Sequence, residues 1–346
     1  VKKTGINSNE IARLAGVSRS TVSRVINNYP NVPEATREKV LQVIGKYGYV
    51  PNLSAQIMVG KKTRTIGLFM ISPDLVSTDM LSNLLITRVI ESASLRGHYV
   101  LTHIIRHTQD PEEHRMVKDS FHQKRIDGGI FIGAANYEPL VEELIKEGHI
   151  VGIVDQHLPG RLEPNRIVSN FDNRNGISEG VEYLVQLGHR DIAFISGDPL
   201  RLSGPEKYEA FVAVMAAHGL SVHPEWIVPG DFSEESGYAA TAQWLMQVRK
   251  LPTAIFAVND SVAFGALRAL SEKGLRVPED ISLLGFDDHL LSSRIVPALS
   301  TIHVDFSGMM DELTEAVIHG IQETPVQPVA LLAGTSLVIR DSCRKV

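Results

Sequence analysis

Two hydropathy regimes divide the chain. Over residues 9–14 and 18–26 the apolar side chains recur at helical spacing, and Ile11, Ala12, Val17, Val22, Val25 and Ile26 can close a small core. Nothing in the first sixty residues reads as a strand. Beyond Arg64 the pattern changes to short, near-continuous apolar runs, which predict strands over 65–71, 99–105, 129–133, 150–154, 166–169, 191–196, 226–228, 254–258, 281–286, 301–304 and 329–339. Helical pattern fills most of the gaps, for example over 81–95, 176–187 and 261–273. Apolar strands alternating with helices predict parallel sheets covered on both faces and built of right-handed βαβ units.

So many strands exceed one doubly wound sheet, so two lobes with a cleft between them are expected. The expected fold class is therefore a small all-α helix-turn-helix head followed by a two-lobed α/β core of parallel sheets flanked by helices. The head spans residues 1–50, a hinge helix or linker 51–63, the core 64–340 and a tail 341–346.

Charge sharpens this division. The net charge is −6, but residues 1–64 hold eleven Lys/Arg against three acids, a segment of +8 on a body of −14. A cationic head on an acidic body suits a partner such as nucleic acid, whose phosphates release counterions on binding. The apolar runs fall short of the roughly 20 residues a membrane helix needs, and no signal-peptide pattern opens the chain. The single cysteine, Cys343, excludes an internal disulfide. The expectation is a cytosolic protein with no membrane partner and an inert Cys343.

Within the head, Ala15-Gly16-Val17 is a tight turn between two short helices, and Ser18 is suited to cap the second, with Thr21 at its third position. Arg19, Ser20, Ser23 and Asn27 then project from exposed faces. Arginine can bond bidentately to guanine, whereas hydroxyls read base edges loosely or hold phosphates. Arg19 and Ser20 are the expected base contacts, with Ser18, Thr21, Ser23, Arg24 and Asn27 for phosphates and positioning.

In the body, enzyme signatures are missing: the sequence has no Gly-x-Gly-x-x-Gly, Walker loop or Gly-x-Ser-x-Gly elbow. His103 and His107 begin in a strand candidate, so they do not share a helical face. Asp287-Asp288-His289 lacks further ligands at readable spacing, and neither a metal nor a cofactor is expected. Asp155, Asn259 and Asp287 instead each end an apolar strand, where open α/β sheets place their ligands. Carboxylates and amides at such edges accept and donate to the hydroxyls of a polyol, while an aromatic ring covers its apolar face. Phe232 and Phe306 are the candidate platforms, and each fits a core position equally well.

Three blocks of the head, Ile11 to Asn27, Thr36-Arg37-Glu38-Lys39-Val40 and Gly48 to Ala55, resemble the lactose/galactose repressor family in order and spacing. So do Val168 to Asn173, Leu187 to Ile192, Ile195-Ser-Gly197, Asn259-Asp260, Arg276 to Ile281, Gly285 to Asp288 and Pro297 to Ile302 in the body. This resemblance implies a transcriptional regulator, not an enzyme, which binds a pseudo-palindromic double-stranded operator as a homodimer under control of a small-molecule effector, a sugar or sugar derivative. It implies a hinge helix that folds on DNA, contacting it through Asn52 and Ala55 and wedging the minor groove with Met58, where leucine is usual. It also implies a core similar to periplasmic sugar-binding proteins, with crossovers near 165, 291 and 325. One lobe would then hold 64–165 and 292–324, and the other 166–291 and 325–340. Asp155, Phe232, Asn259 and Asp287 fall on effector-contacting positions, with Ile71, Ser72 and Ile132 on the opposite wall.

One departure from the family pattern stands out. Lys207 replaces the usual arginine and Ala210 the usual glycine, which removes a bidentate grip on vicinal hydroxyls. The departure points to a phosphorylated ligand or a displaced hydroxyl pattern. A regulator of the same fold controlled by a protein partner or a non-sugar metabolite is the alternative.

Overall fold

The computed structural model describes residues 6–50, 60–72, 76–156, 159–161, 163–323 and 327–346. Asn52, Ala55 and Met58 lie outside the described residues, as does position 325. The chain forms two compact units, Val1–Thr63 and Arg64–Val346.

The first unit carries α1 (Ser8–Ala15), α2 (Arg19–Ile26) and α3 (Glu34–Tyr47). Asn7 opens α1 with a reciprocal cap: its side chain accepts from the N–H groups of Asn9 and Glu10, and Glu10 accepts from the N–H of Asn7. Gly16, at φ +65°, ends the helix in the left-handed conformation that glycine adopts without a Cβ clash. Ser18 then caps α2, its Oγ accepting from the N–H of Thr21 at 3.1 Å. Ile11, Ala15, Val22 and Val40 are fully buried and lock the three helices together.

The second unit contains two six-stranded sheets. The first orders β11 (Val329–Ala333), β5 (Arg166–Phe171), β4 (Val151–Val154), β3 (Gly128–Ile132), β1 (Thr65–Ile71) and β2 (Tyr99–Ile105). Its pairings are all parallel. Alternation along β1 sends Ile66, Leu68 and Met70 to one face and Phe69 to the other, so both faces are covered by helices. On the Phe69 face lie α5 (Pro111–His122) and α6 (Pro139–Lys146), through Val117, Phe121, Leu140 and Leu144; α4 (Met80–Leu95) packs against β1 and β2.

The second sheet orders β12 (Thr335–Val338), β10 (Ser300–Val304), β9 (Ser282–Asp287), β8 (Ala254–Ala257), β6 (Ile192–Ile195) and β7 (Ile227–Val228). Only β12 runs antiparallel to its neighbour. Its helices include α7 (Asn173–Gln186), α8 (Ser203–Ala217), α9 (Glu234–Gln247) and α10 (Asp260–Glu272). α11 (Phe306–Gln322) packs back on the first sheet and on α4.

The lobe boundaries expected near 165, 291 and 325 are displaced. β5 belongs to the first lobe: Val151 pairs with Arg166, and the buried Arg166 guanidinium is held by Glu142 of α6 and by Glu163. β10 belongs to the second lobe, where Ile302 pairs with Phe286. The apolar run 329–339, expected as one strand, breaks at Gly334 and serves both sheets. The chain therefore crosses between lobes near 172, 305 and 334. Residues 341–346 are tied to the second lobe through Ser342, whose carbonyl accepts from the N–H of Leu283, and Val346, whose N–H donates to Leu187. Cys343 lies beside them with its thiol pushed up to about 12 by burial, which suppresses the reactive thiolate.

Candidate functional site

The head presents α2 as its polar element. Arg19, Ser20, Ser23 and Arg24 are exposed, and Thr21 and Asn27 are half-buried. Ser18 gathers the hydroxyls at the amino end of the helix, 2.7 Å from Ser20 Oγ and 2.9 Å from Thr21 Oγ1. The backbone N–H groups there are turned outward with the positive end of the helix dipole, a suitable seat for a phosphate. Asn27 donates to Ser23 Oγ, and Arg37 of α3 clamps the following turn through Asn28 Oδ1 and the Tyr29 carbonyl. The role of Arg37 is set by these contacts, eight and nine residues away in the chain.

In the second unit, a cleft of about 940 Å³ opens between the two sheets. Ile71, Ser72, Ile132, Asp155, Lys207, Phe232, Asn259, Asp287 and Phe306, named from sequence, all line it. The strand-end rule accounts for most of them, because β1, β3, β4, β8 and β9 all point their carboxyl ends at this space. Asp155 and Asp287 also hold φ at +64° and +110°, values that a side chain with a Cβ adopts only under strain.

The lobes are bridged at the cleft. Asp155 follows β4 in the first lobe, and its Oδ1 accepts from the Ser203 N–H at 3.1 Å and the Ser203 hydroxyl at 2.5 Å at the start of α8 in the second. Asn259 caps α10: its Oδ1 accepts from the Val262 N–H and its Nδ2 donates to the Phe232 carbonyl. The amide read from sequence as a ligand contact thus fixes the Phe232 loop. Phe306 is buried edge-on against Phe171, whereas Phe232 is half-buried with the Arg201 guanidinium 5.2 Å from its ring centre. Of the two aromatics, Phe232 has the geometry of a platform.

Lys207 does not reach into the cleft as a free charge. Only 1% exposed, it donates from Nζ to the Val258 carbonyl at 2.9 Å and sits 3.5 Å from the Phe286 ring centre. The Phe171 ring, from the first lobe, is 5.3 Å away. Burial holds the Lys207 ammonium below the usual lysine range against the opposing pull of Asp287, Asp155 and Asp260. Burial likewise pushes the Asp287 carboxyl up to about 8, although Lys207 pulls it down. Asp260, fully buried beneath the cleft, is pushed up to about 7 by burial against three donors: the His289 N–H, the Ser292 hydroxyl and the Thr301 hydroxyl.

Asp287 and His289 both line the cleft, where His289 Nδ1 accepts from the Leu291 N–H, whereas Asp288 pairs with His303 and Arg340. Arg201, Ser203, Asp79 and Glu138 also line the cleft and were missed from sequence. Arg201 and Ser203 precede or begin a helix, and Glu138 precedes α6, so a search of strand ends passes over them.

The profile of the lacI family of bacterial regulatory proteins matches residues 9–52, and that of a periplasmic binding protein-like domain matches 181–343. A Bacillus subtilis protein described as the probable HTH-type transcriptional repressor ExuR is 32% identical over 97% of this chain and 98% of its own length. The chain belongs to the lacI family of bacterial regulatory proteins. As a member it is a DNA-binding transcriptional regulator under small-molecule control and not an enzyme. The HTH-type transcriptional repressor PurR of Histophilus somni is 31% identical over 97% of this chain and 98% of its own. Among solved structures, a lac repressor dimer bound to operator and the anti-inducer ONPF superposes with a TM-score of 0.79 at 28% identity, covering 99% of this chain and 100% of its own. The regulator CelR in complex with cellobiose gives 0.74 at 28% identity, covering 97% and 99%. Among the described residues, no helix of this lacI-family chain is long and apolar enough to cross a membrane.

Proposed function

We propose that the chain is a cytoplasmic, homodimeric repressor whose affinity for a pseudo-palindromic operator is set by a neutral sugar or related polyol in the interlobe cleft. In this reading α2 enters the major groove, Arg19 and Ser20 contact bases, and Ser18, Thr21, Ser23, Arg24 and Asn27 hold phosphates. Asn52, Ala55 and Met58 complete the contact from the hinge. One helix-turn-helix reads a half-site, so two copies about a helical turn apart are needed.

The observation that carries the effector reading is the convergence of strained carboxylates and a half-buried aromatic on one interlobe cleft. Asp155 and Asp287 supply oxygen acceptors, Arg201 a donor and Phe232 an apolar face, while Ser203 gives both its N–H and its hydroxyl proton to Asp155. Among the described residues, the lining holds seven acidic side chains besides Asp287, whose carboxyl is pushed up to about 8, against two cationic side chains, Arg201 and Lys207, and Lys207 is already engaged. Such a field opposes a phosphorylated ligand, so the lysine substitution favours the displaced hydroxyl pattern. The cellobiose named with CelR is a neutral sugar, which agrees with this reading.

Thermal-shift screening against neutral, acidic and phosphorylated sugars, purines and amino acids tests it. Stabilisation by neutral sugars supports the proposal. Stabilisation confined to phosphorylated compounds contradicts it, and a flat screen favours a regulator driven by a protein partner.

A further inference from the structure

A cluster of metal-competent side chains lies outside the cleft. His122 is the last residue of α5, and Glu147 and His149 flank Gly148 just beyond α6. Gly148, at φ +88°, turns the chain so that Glu147 and His149 return to the same side. Glu147 Oε2 is 2.9 Å from His122 Nε2 and 3.6 Å from His149 Nε2. One ligand atom from each residue lies within 4.8 Å of the other two.

We propose that His122, Glu147 and His149 form a binding site for a transition-metal dication of the zinc class. Bonds of about 2.0–2.1 Å to nitrogen and oxygen set tetrahedral edges of roughly 3.3 Å. The two separations from Glu147 bracket that edge, and the histidine–histidine edge, within 4.8 Å, closes to it by a movement of up to about 1.5 Å shared between two partly exposed side chains. Two imidazoles and one carboxylate suit zinc, nickel, copper or cobalt better than calcium or magnesium, which take oxygen ligands. The fourth position faces water, because the three side chains are 27–48% exposed.

The surroundings hold the ligands in place. His149 packs on Phe121 with ring centres 4.8 Å apart, and Phe121 belongs to the core beneath α5 and α6. Lys118 Nζ is 2.8 Å from Glu147 Oε1, which leaves Oε2 directed at the two histidines. Orientation of a ligand carboxylate by an outer partner is the usual arrangement at metal sites, while the lysine charge moderates the affinity. The eight residues of α6, about 12 Å of helix, separate the cluster from the cleft residue Glu138. The site therefore clips the far ends of two helices whose other contacts form the first lobe.

No metal was expected from sequence, because His122 and Glu147 are 25 residues apart and no spacing rule links the ends of two different helices. The test titrates cobalt(II) into the full chain carrying no histidine tag, followed by visible absorption, with zinc(II) competing. The expected result is one equivalent giving the intense d–d bands of low coordination, displaced by zinc. His122→Gln and Glu147→Gln, both at exposed positions, should weaken binding by roughly tenfold or more, whereas His218→Gln, on α8's exposed end, should leave it intact. Absence of a saturable one-equivalent band overturns the proposal. So does unchanged binding in both H122Q and E147Q, with the fold of each verified by circular dichroism.

Discussion

The carboxylate of Asp155, at the end of a strand in one lobe, accepts two hydrogen bonds from Ser203, at the start of a helix in the other. In the proposed function, an effector entering the cleft meets this bridge already formed, and one carboxylate couples its binding to lobe geometry.

Asp155→Asn tests that coupling. The amide retains one acceptor but loses the charge that strengthens both bonds. Hydrogen bonds to a charged group contribute roughly 1.5–3 kcal/mol, so effector affinity should fall about tenfold to a hundredfold. Isothermal titration with the compound found by thermal shift checks this, and an unchanged dissociation constant removes Asp155 from the site.

Lys207→Ala separates a buried structural cation from a ligand contact. The ammonium is enclosed by Phe286, Phe171 and the Val258 carbonyl. Its loss opens a cavity and removes the hydrogen bond to the Val258 carbonyl, a cost of roughly 2–5 kcal/mol. Urea denaturation should show a lower midpoint in the absence of any ligand. Parent-like stability accompanied by lost effector binding would instead return Lys207 to the role inferred from sequence.

Asp260 predicts a pH signature. Its folded carboxyl titrates at about 7, above the ordinary value of 3.8 that it takes when unfolded. The native state therefore holds the proton more tightly, and the stability from this group is fully present below about pH 4. It is lost as pH rises towards 7, because the unfolded chain has already released its proton. Asp260→Asn lacks this dependence, so the stability gap between parent and variant should be largest near pH 4 and shrink through pH 7. Paired denaturation curves across that range decide it, and a constant gap contradicts a carboxyl that burial pushes upward.

Arg19→Ala should weaken specific operator binding by about 1–3 kcal/mol and relax preference at one base position. Binding selections on randomised half-sites provide the measurement. Uniform weakening across sequences, with a shallower salt slope, would make Arg19 a phosphate contact instead.

Local chemistry made the head legible. Gly16 and Ser18 mark a turn and a cap whose geometry depends on neighbouring residues only. Strand ends were equally readable, which is why Asp155 and Asp287 were found. The lobe boundaries were not, because β5 and β10 are apolar runs like any other. What assigns them is the strand each pairs with, reinforced for β5 by the Arg166–Glu142 ion pair. Ser203 escaped notice for the same reason, since its partner is 48 residues away. Lys207 was read as a charge and missed as a packed side chain, a distinction that depends on Phe171 and Phe286 arriving from different sheets.

The most direct test of the account is operator affinity, measured by fluorescence anisotropy, with and without a compound that stabilises the parent protein. Parent and Asp287→Asn are compared. Coupling of about 1–3 kcal/mol predicts a shift of roughly 5-fold to 150-fold in the parent. The variant should bind operator with parent-like affinity yet show no shift. A compound that occupies the cleft and leaves operator affinity unchanged, or a shift that persists in Asp287→Asn, would contradict control of DNA binding through this cleft.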